Sequence, residues 1–331
     1  MKAVIERPNR TSIARAVASL RAGELIAFPT ETVYGLGADA SRAESVRKIF
    51  SAKGRPADHP VIVHLYAARD IAKWTSTMPA GAEKLAASFW PGPLTLVLPR
   101  SERVSDAVTG GQDTVGVRVP SHPVARALLA EFGGGIAAPS ANRFGRISPT
   151  SARHVADDLG DAVSIILDGG PCAVGIESTI VGFAGDEPML LRPGAVGVAH
   201  LERVLGRALR SPTSAAPRAP GTLAAHYAPK TPATLVPPSS LHAELEQLAE
   251  RDEAIAVLAR SVTRPLEFSD MWIDAPRDAA AYAHDLYANL RALDHANADA
   301  ILVEAVPAGD EWLAVRDRLE RATRGEDDDR D

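Results

Sequence analysis

The chain has 331 residues, 46% hydrophobic and 24% charged, with one cysteine and a net charge of −6. These totals describe a globular protein of two domains and exclude an intrachain disulfide or a multi-cysteine zinc site. The charge is uneven: residues 1–210 carry 24 Lys+Arg against 20 Asp+Glu, residues 211–331 carry 12 against 22, and an anionic ligand is therefore expected on the first part.

In chain order, residues 11–22 read as a helix capped by Thr11 or Ser12 and ended by Gly23. "LIAF" (25–28) is an apolar strand running into "FPTETVYGLGADA" (28–40). The hydroxyls, carboxylate and phenol after Pro29 read as a glycine-punctuated turn facing a ligand. Ser41 and Glu44 form a capping-box pattern for a helix through Ala52, stopped at Gly54. Further strands are read at "PVIVHL", "LTLVLP", "VGVRVP", "GIAAP", "VSIILDGG" and "STIVGF", with helices between several of them. Strands outnumber possible crossover helices, so the sheet is expected to be mixed. Residues 211–232 have the composition of a linker, yet hold His226, Tyr227 and Lys230. Beyond them "ATLVPP", "AIAVLA", "MWIDAP" and "AILVEAVP" read as strands and 278–296 and 311–322 as helices, a small α/β layer. No apolar run approaches membrane-spanning length, and "MKAVIERPNR" has no signal core, so a cytoplasmic protein without membrane contact is expected.

Five stretches share one pattern, an apolar strand ending in small polar and cationic groups. They are 28–40, "KGRPADHPVIVHL" (53–65), "DTVGVRVPSHP" (113–123), "IAAPSANRFGRISPTSARHV" (136–155) and "GIESTIVGF" (175–183) with "LLRPGAV" (190–196). Lys53 and Arg55 suit phosphate oxygens as a point charge and a fork, and equally suit a helix end complementing its dipole. Arg118, inside an apolar strand, implies an anionic partner from protein or ligand, unless its strand is an edge in water. Arg143, Arg146, Ser140, Asn142 and Ser148 fit nucleotide contacts, with Ser148 also readable as a helix cap. There is no P-loop Gly-Lys and no G-x-S-x-G elbow. Convergence of such ends favours one cleft that binds and positions a nucleoside triphosphate.

Those stretches, with "FWPGPLTLVL", "APSAN" and "ESTIV…LLRPGAV", resemble the YrdC/TsaC family of threonylcarbamoyl-AMP synthases. "APGTLAAHYAPKTP" and the C-terminal layer resemble its long, two-domain form. The resemblance implies a YrdC-like twisted open mixed α/β sheet with a cationic cavity in 1–210 and a linker or lid over the active site in 211–232. It also implies a smaller Rossmann-like α/β domain in 233–323 and an acidic disordered tail in 324–331. The implied reaction joins L-threonine, bicarbonate and ATP, with Mg²⁺ accompanying ATP, into threonylcarbamoyl-AMP and pyrophosphate. Downstream tRNA threonylcarbamoyl transferase proteins would use the product. By matching position to position, Thr32, His64, Arg118, Ala138 and Ser178 would hold threonine. Lys53, Arg55, His59, Thr114, Ser140, Asn142, Ser148, Arg192 and Tyr227 would hold ATP, with Lys53 and Arg55 also catalytic through the leaving group's charge. His59 stands where asparagine is usual. No tightly bound, protein-ligated metal is expected, and Mg²⁺ ligands stay unassigned. Two other readings remain: a non-catalytic RNA binder, with weak RNA binding as its residue in the first reading, and carbamoyl transfer as in hydrogenase maturation. Against the first stand hydroxyls, rather than stacking aromatics, between the cations. Against the second stands the lack of zinc-finger and acylphosphatase modules.

Overall fold

The computed structural model describes residues 3–213 and 216–324; the expected acidic tail, from Gly325 on, lies outside the described residues. Residues up to Phe144 together with Ser148–Thr222 form one compact unit, and Gly145–Ile147 with the residues from Leu223 on form a second. The stretch read as a linker is thus divided between the units after Thr222.

In the first unit, helix α1 (Arg10–Arg21) buries Ile13, Ala16, Val17 and Leu20, the spacing of one helical face. Its cap is Asn9, not Thr11 or Ser12: the Asn9 side chain accepts from Thr11 N and Ser12 N, and Ser12 completes a capping box as the third helical residue. Helix α2 (Ala43–Lys53) stops at Gly54, which takes the left-handed φ of 67° that a side chain disfavours. The box expected from Ser41 and Glu44 does not form. Asp39 captures both the N–H and the hydroxyl of Ser41, and Glu44 pairs with Arg42 instead. The other helices of this unit are α3 (Ala80–Phe89), α4 (Asp106–Thr109), α5 (Pro123–Phe132), α6 (Ala152–Leu159) and α7 (Val198–Leu205).

Ten strands make its sheet: β1 (Val4–Glu6), β2 (Ile26–Pro29), β3 (Tyr34–Asp39), β4 (Ile62–His64), β5 (Leu94–Pro99), β6 (Thr114–Arg118), β7 (Ile136–Ala137), β8 (Ile165–Leu167), β9 (Thr179–Ala184) and β10 (Glu187–Arg192). The order is β1-β8-β2-β3-β7-β4-β6-β5-β9-β10, and parallel and antiparallel pairs are mixed, as expected. "YGLGAD", read from sequence as part of a turn, is instead strand β3, antiparallel to β2. Its glycines serve packing: a Cβ on Gly37 would lie 3.0 Å from the Phe28 ring and 3.1 Å from Ile136.

Alternation along the strands sorts side chains onto two faces. One face, with Ala27, Leu36, Val63, Leu96, Val117 and Val181, packs under α2, α3, α4, α6 and α7. On the other face, Ile26, Phe28, Ile136 and Ala138 pack under α1 and α5. That cover ends near β7. Over β4, β6, β5, β9 and β10, the residues Ile62, Val97, Ile180, Met189 and Leu191 pack with no helix of the first unit among the described residues, but with Ala216 and Ala219 of the linker.

The second unit holds a parallel four-stranded sheet in the order β11-β14-β12-β13: β11 (Ala233–Val236), β12 (Ile255–Ala259), β13 (Trp272–Asp274) and β14 (Ala300–Glu304). Its helices are α8 (Leu241–Ala249), not foreseen from sequence, α9 (Ala279–Asp294) and α10 (Leu313–Ala322).

Candidate active site

The half of the sheet face without first-unit helices carries His64, Arg118 and Arg192, with Thr114 at the start of β6. Strand pairing aligns His64 with Arg118, Thr95 with Ile180, and Ile180 with Arg192, which puts all of these on that face. Strand β6 is interior, between β4 and β5, so an edge position for Arg118 in water is ruled out.

Arg118 is 3% exposed and fully engaged. Its Nη2 donates to Glu31 Oε1 at 2.7 Å, Nη1 to Thr32 Oγ1 at 2.9 Å and Nε to Gly92 O at 3.3 Å. The anionic partner demanded by a buried arginine is therefore Glu31, a carboxylate inside the 28–40 stretch that sequence reading left without a role. Glu31 Oε2 accepts from Ser121 N at 3.0 Å. Burial pushes the Glu31 carboxyl's pKa up, but the charge and hydrogen bond of Arg118 and the backbone donors outweigh it and hold it below the usual value. Thr32 is fully buried and also bonds Thr30 Oγ1 at 2.8 Å.

Beside Arg118, His64 is 3% exposed, packs edge-on to Phe28, and its Nδ1 has no hydrogen-bond partner among the described residues. Burial, then the Arg118 charge, depress its pKa to about 3, with Glu31 opposing in part. The imidazole is thus neutral at physiological pH, a hydrogen-bonding group and not a base for an ammonium.

A second cluster follows on β5, β9 and β10. Ser178 Oγ and Thr95 Oγ1 lie 2.8 Å apart. Arg192 Nη2 donates to Ser178 O at 2.8 Å, and its Nη1 to Pro220 O of the linker at 2.7 Å. Linker residue Arg218 exchanges bonds with Gln112, donating through its N–H to Oε1 at 2.6 Å and accepting through its carbonyl from Nε2 at 3.2 Å. Residues 216–222 are thereby fastened along the helix-free face.

The other candidates are held by partners of their own. Lys53 is 3% exposed, and its Nζ donates to Ser140 O at 2.7 Å, Asn142 O at 2.5 Å and Asn142 Oδ1 at 3.4 Å. It binds the 140–142 loop and does not reach out as an open point charge. Burial, then the charge of Arg55, draw its pKa well below the usual lysine value. Arg55, half-buried, donates to Pro60 O at 2.8 Å. His59 is half-buried, edge-on to Phe144; burial, then Arg55, lower its pKa. Ser148 is fully buried and donates to Glu177 Oε1 at 2.6 Å. Thr114 and Ser140 are half-buried and Ala138 is buried. Thr114 starts β6, four residues and about 13 Å from Arg118. Arg143, read as a nucleotide contact, donates to the carbonyls of Asp158 and Ala52. Arg146 and Tyr227 belong to the second unit. There Tyr227 is 1% exposed, takes a left-handed φ of 65°, and stacks on Tyr287 at 5.6 Å with the Arg318 guanidinium 5.1 Å from its ring. Sequence reading missed Glu31 and Thr95 as site residues and placed Glu177 only at the start of its strand, beside Ser178 and Thr179.

Among the described residues, no group of three or more His, Cys, Asp or Glu is placed to hold a metal ion, and no helix is long and apolar enough to cross a membrane.

Two family models match the chain: Sua5_yciO_yrdC, described as telomere recombination, over residues 18–194, and Sua5_C, described as threonylcarbamoyl-AMP synthase, C-terminal domain, over residues 196–323. The chain is 40% identical to a threonylcarbamoyl-AMP synthase of Bacillus subtilis, covering 96% of this chain and 94% of that one. It is 39% identical to the Pyrococcus abyssi protein of the same name, over 97% and 96%. The crystal structure of P. abyssi Sua5 complexed with L-threonine matches with a TM-score of 0.88 over 97% of each chain, at 39% identity.

Proposed function

Because the chain belongs to the Sua5–YciO–YrdC family and is similar over its length to threonylcarbamoyl-AMP synthases, we propose that it joins L-threonine, bicarbonate and ATP into threonylcarbamoyl-AMP and pyrophosphate. The observation that carries the reading on this chain is the buried Arg118–Thr32–His64 group at one end of a helix-free sheet face. Arg118 supplies the fork for threonine's carboxylate, exchanging or sharing it with Glu31. Thr32, neutral His64 and Ser178 meet the substrate hydroxyl and amine, and Ala138 closes the pocket under its methyl. The nucleotide lies along β6 towards Thr114, with Arg192 beside it and Arg55, His59, Ser140, Asn142 and Ser148 around the phosphates and ribose. ATP enters with Mg²⁺ held by its own phosphate oxygens.

The chemistry needs a neutral threonine amine, whose nitrogen attacks the carbon of CO₂ released from bicarbonate; the nitrogen's proton combines with the hydroxide that bicarbonate loses to form water, leaving a carbamate. A carbamate oxygen then attacks the α-phosphorus, the bond from that phosphorus to the bridging oxygen breaks, and pyrophosphate leaves with its electron pair. Arg55 offsets the growing charge directly. Lys53 acts on the same step by fixing the 140–142 loop. The product passes to tRNA threonylcarbamoyl transferase proteins. The Ala216–Thr222 segment keeps water from this labile mixed anhydride.

The test is mass spectrometry of products from ATP, bicarbonate and a panel of amino acids. Threonine gives the adenylate and pyrophosphate; valine, which leaves the buried hydroxyl partners unpaired, gives on the order of 100-fold less or lower. Equal yields from valine and threonine, or no pyrophosphate, would sink the reading.

A further inference from the structure

A second recess, of about 710 Å³, opens in the first unit beside the C-terminal end of α5 and the ends of α1, β3 and β4. The volume suits a nucleotide-sized molecule. Its floor includes Trp74 and Phe132. Trp74 is held in place by a missing side chain: a Cβ on Gly135 would lie 2.3 Å from its ring. The Trp74 indole N–H has no hydrogen-bond partner among the described residues. At the rim stand Arg69, Lys73 and Arg103, all exposed. Lys73 has a long contact of 3.4 Å to Asp70; Arg69 and Arg103 have no ion pair or hydrogen bond among the described residues. Asp39 also lines the recess, turned towards Ser41 N–H and hydroxyl at 2.9 and 2.7 Å.

Two unpartnered guanidiniums, an aromatic floor and two carboxylates, Asp39 and the Lys73-paired Asp70, are three different chemistries in one recess. Phosphate oxygens match the guanidiniums, a flat base matches the aromatic floor, and ribose hydroxyls match a carboxylate acceptor. We propose that this recess is a second nucleotide site, separate from the helix-free face, which takes a nucleoside monophosphate or diphosphate with its phosphate on Arg69 and Arg103 and its base over Trp74 and Phe132. Lys73 adds charge at the mouth, and Asp39 turns from Ser41 to the ribose.

Isothermal titration of the full chain with AMP, which has no pyrophosphate to release, tests this. Wild type takes two AMP molecules per chain. The double variant Arg69→Glu with Arg103→Glu retains one and loses the other by tenfold or more in affinity, since tenfold is the least expected from removing even one of its two charge-assisted contacts. Its thermal melt and its adenylate formation at saturating substrates stay at wild-type values, because neither arginine lies on the reaction face. Trp74→Leu weakens the second event while inorganic phosphate still binds. One AMP per wild-type chain, or two in the double variant, overturns the proposal. So does phosphate binding as tightly as AMP, which would make it an anion site only, or a short single-stranded RNA binding there in AMP's stead.

Discussion

Glu31→Gln separates the charge of the buried pair from its shape. The Glu31 and Arg118 side chains are 8% and 4% exposed and 2.7 Å apart. The amide fills the same space but leaves Arg118 without an anion, and turns an NH₂ towards either Arg118 Nη2 or Ser121 N–H, both donors. Breaking one side of such a pair costs about 3–5 kcal/mol, which for a unit of this size lowers the melting temperature by roughly 6–20 °C. On the proposed reading, threonine would bring a carboxylate of its own to Arg118. In thermal melts it should therefore stabilise the variant more than wild type, while L-threoninol, which lacks the carboxylate, stabilises both alike. Because the Glu31 pKa is lowered on folding, the pair's contribution is present above the ordinary carboxyl value and lost as pH falls through the lowered one; the variant lacks that acid loss. A melt within about 1 kcal/mol of wild type, or equal gains from threonine and threoninol in both proteins, would refute the account.

Two further outcomes are expected. His64 stays neutral down to about 3 in the folded chain, while the unfolded chain takes up a proton near 6.5, so stability is lost as pH falls from about 6.5 towards 3, by about 2 kcal/mol at pH 5. Urea unfolding of His64→Phe from pH 7 to 5 should lack that slope, and an equal slope in both proteins speaks against a buried neutral imidazole. Lys53→Met strands the carbonyls of Ser140 and Asn142, at about 1–3 kcal/mol each, so stability and ATP turnover should fall together. Turnover lost at unchanged stability would mean that Lys53 touches phosphate itself.

The mixed first sheet, the α/β layer of the second unit and most strands were legible because apolar alternation is local. What failed was governed by distant partners. Asn9 won the first cap and Asp39 dissolved the expected capping box, both through short hydrogen bonds that several nearby residues could have made. Strand β3 was hidden because its glycines look like a turn, until Phe28 and Ile136 show why side chains are excluded there. Arg118 announced a buried anion, but Glu31 lies 87 positions away, and only strand order brings them together. Lys53 read as a phosphate contact because its carbonyl partners, 87 and 89 positions away, carry no side-chain signature.

The same topology explains why the site sits where it does. Among the described residues of the first unit, helices α2, α3, α4, α6 and α7 pack on one side of the sheet and α1 and α5 on the other. The strands β4, β6, β5, β9 and β10 are therefore left with one bare face, carrying both apolar residues and the Arg118, His64 and Arg192 groups. An apolar patch of that kind is unfavourable in water and must be covered. Ala216 and Ala219 cover it with small side chains on a segment held by Arg218–Gln112 and Arg192–Pro220 bonds. A base or ribose entering this face meets the same surface as the two alanines, so the segment either shifts or roofs the ligand. On the proposed reading, the Arg192–Pro220 bond is where ligand binding and the position of the cover would be coupled, since Arg192 also holds the Ser178 carbonyl beneath.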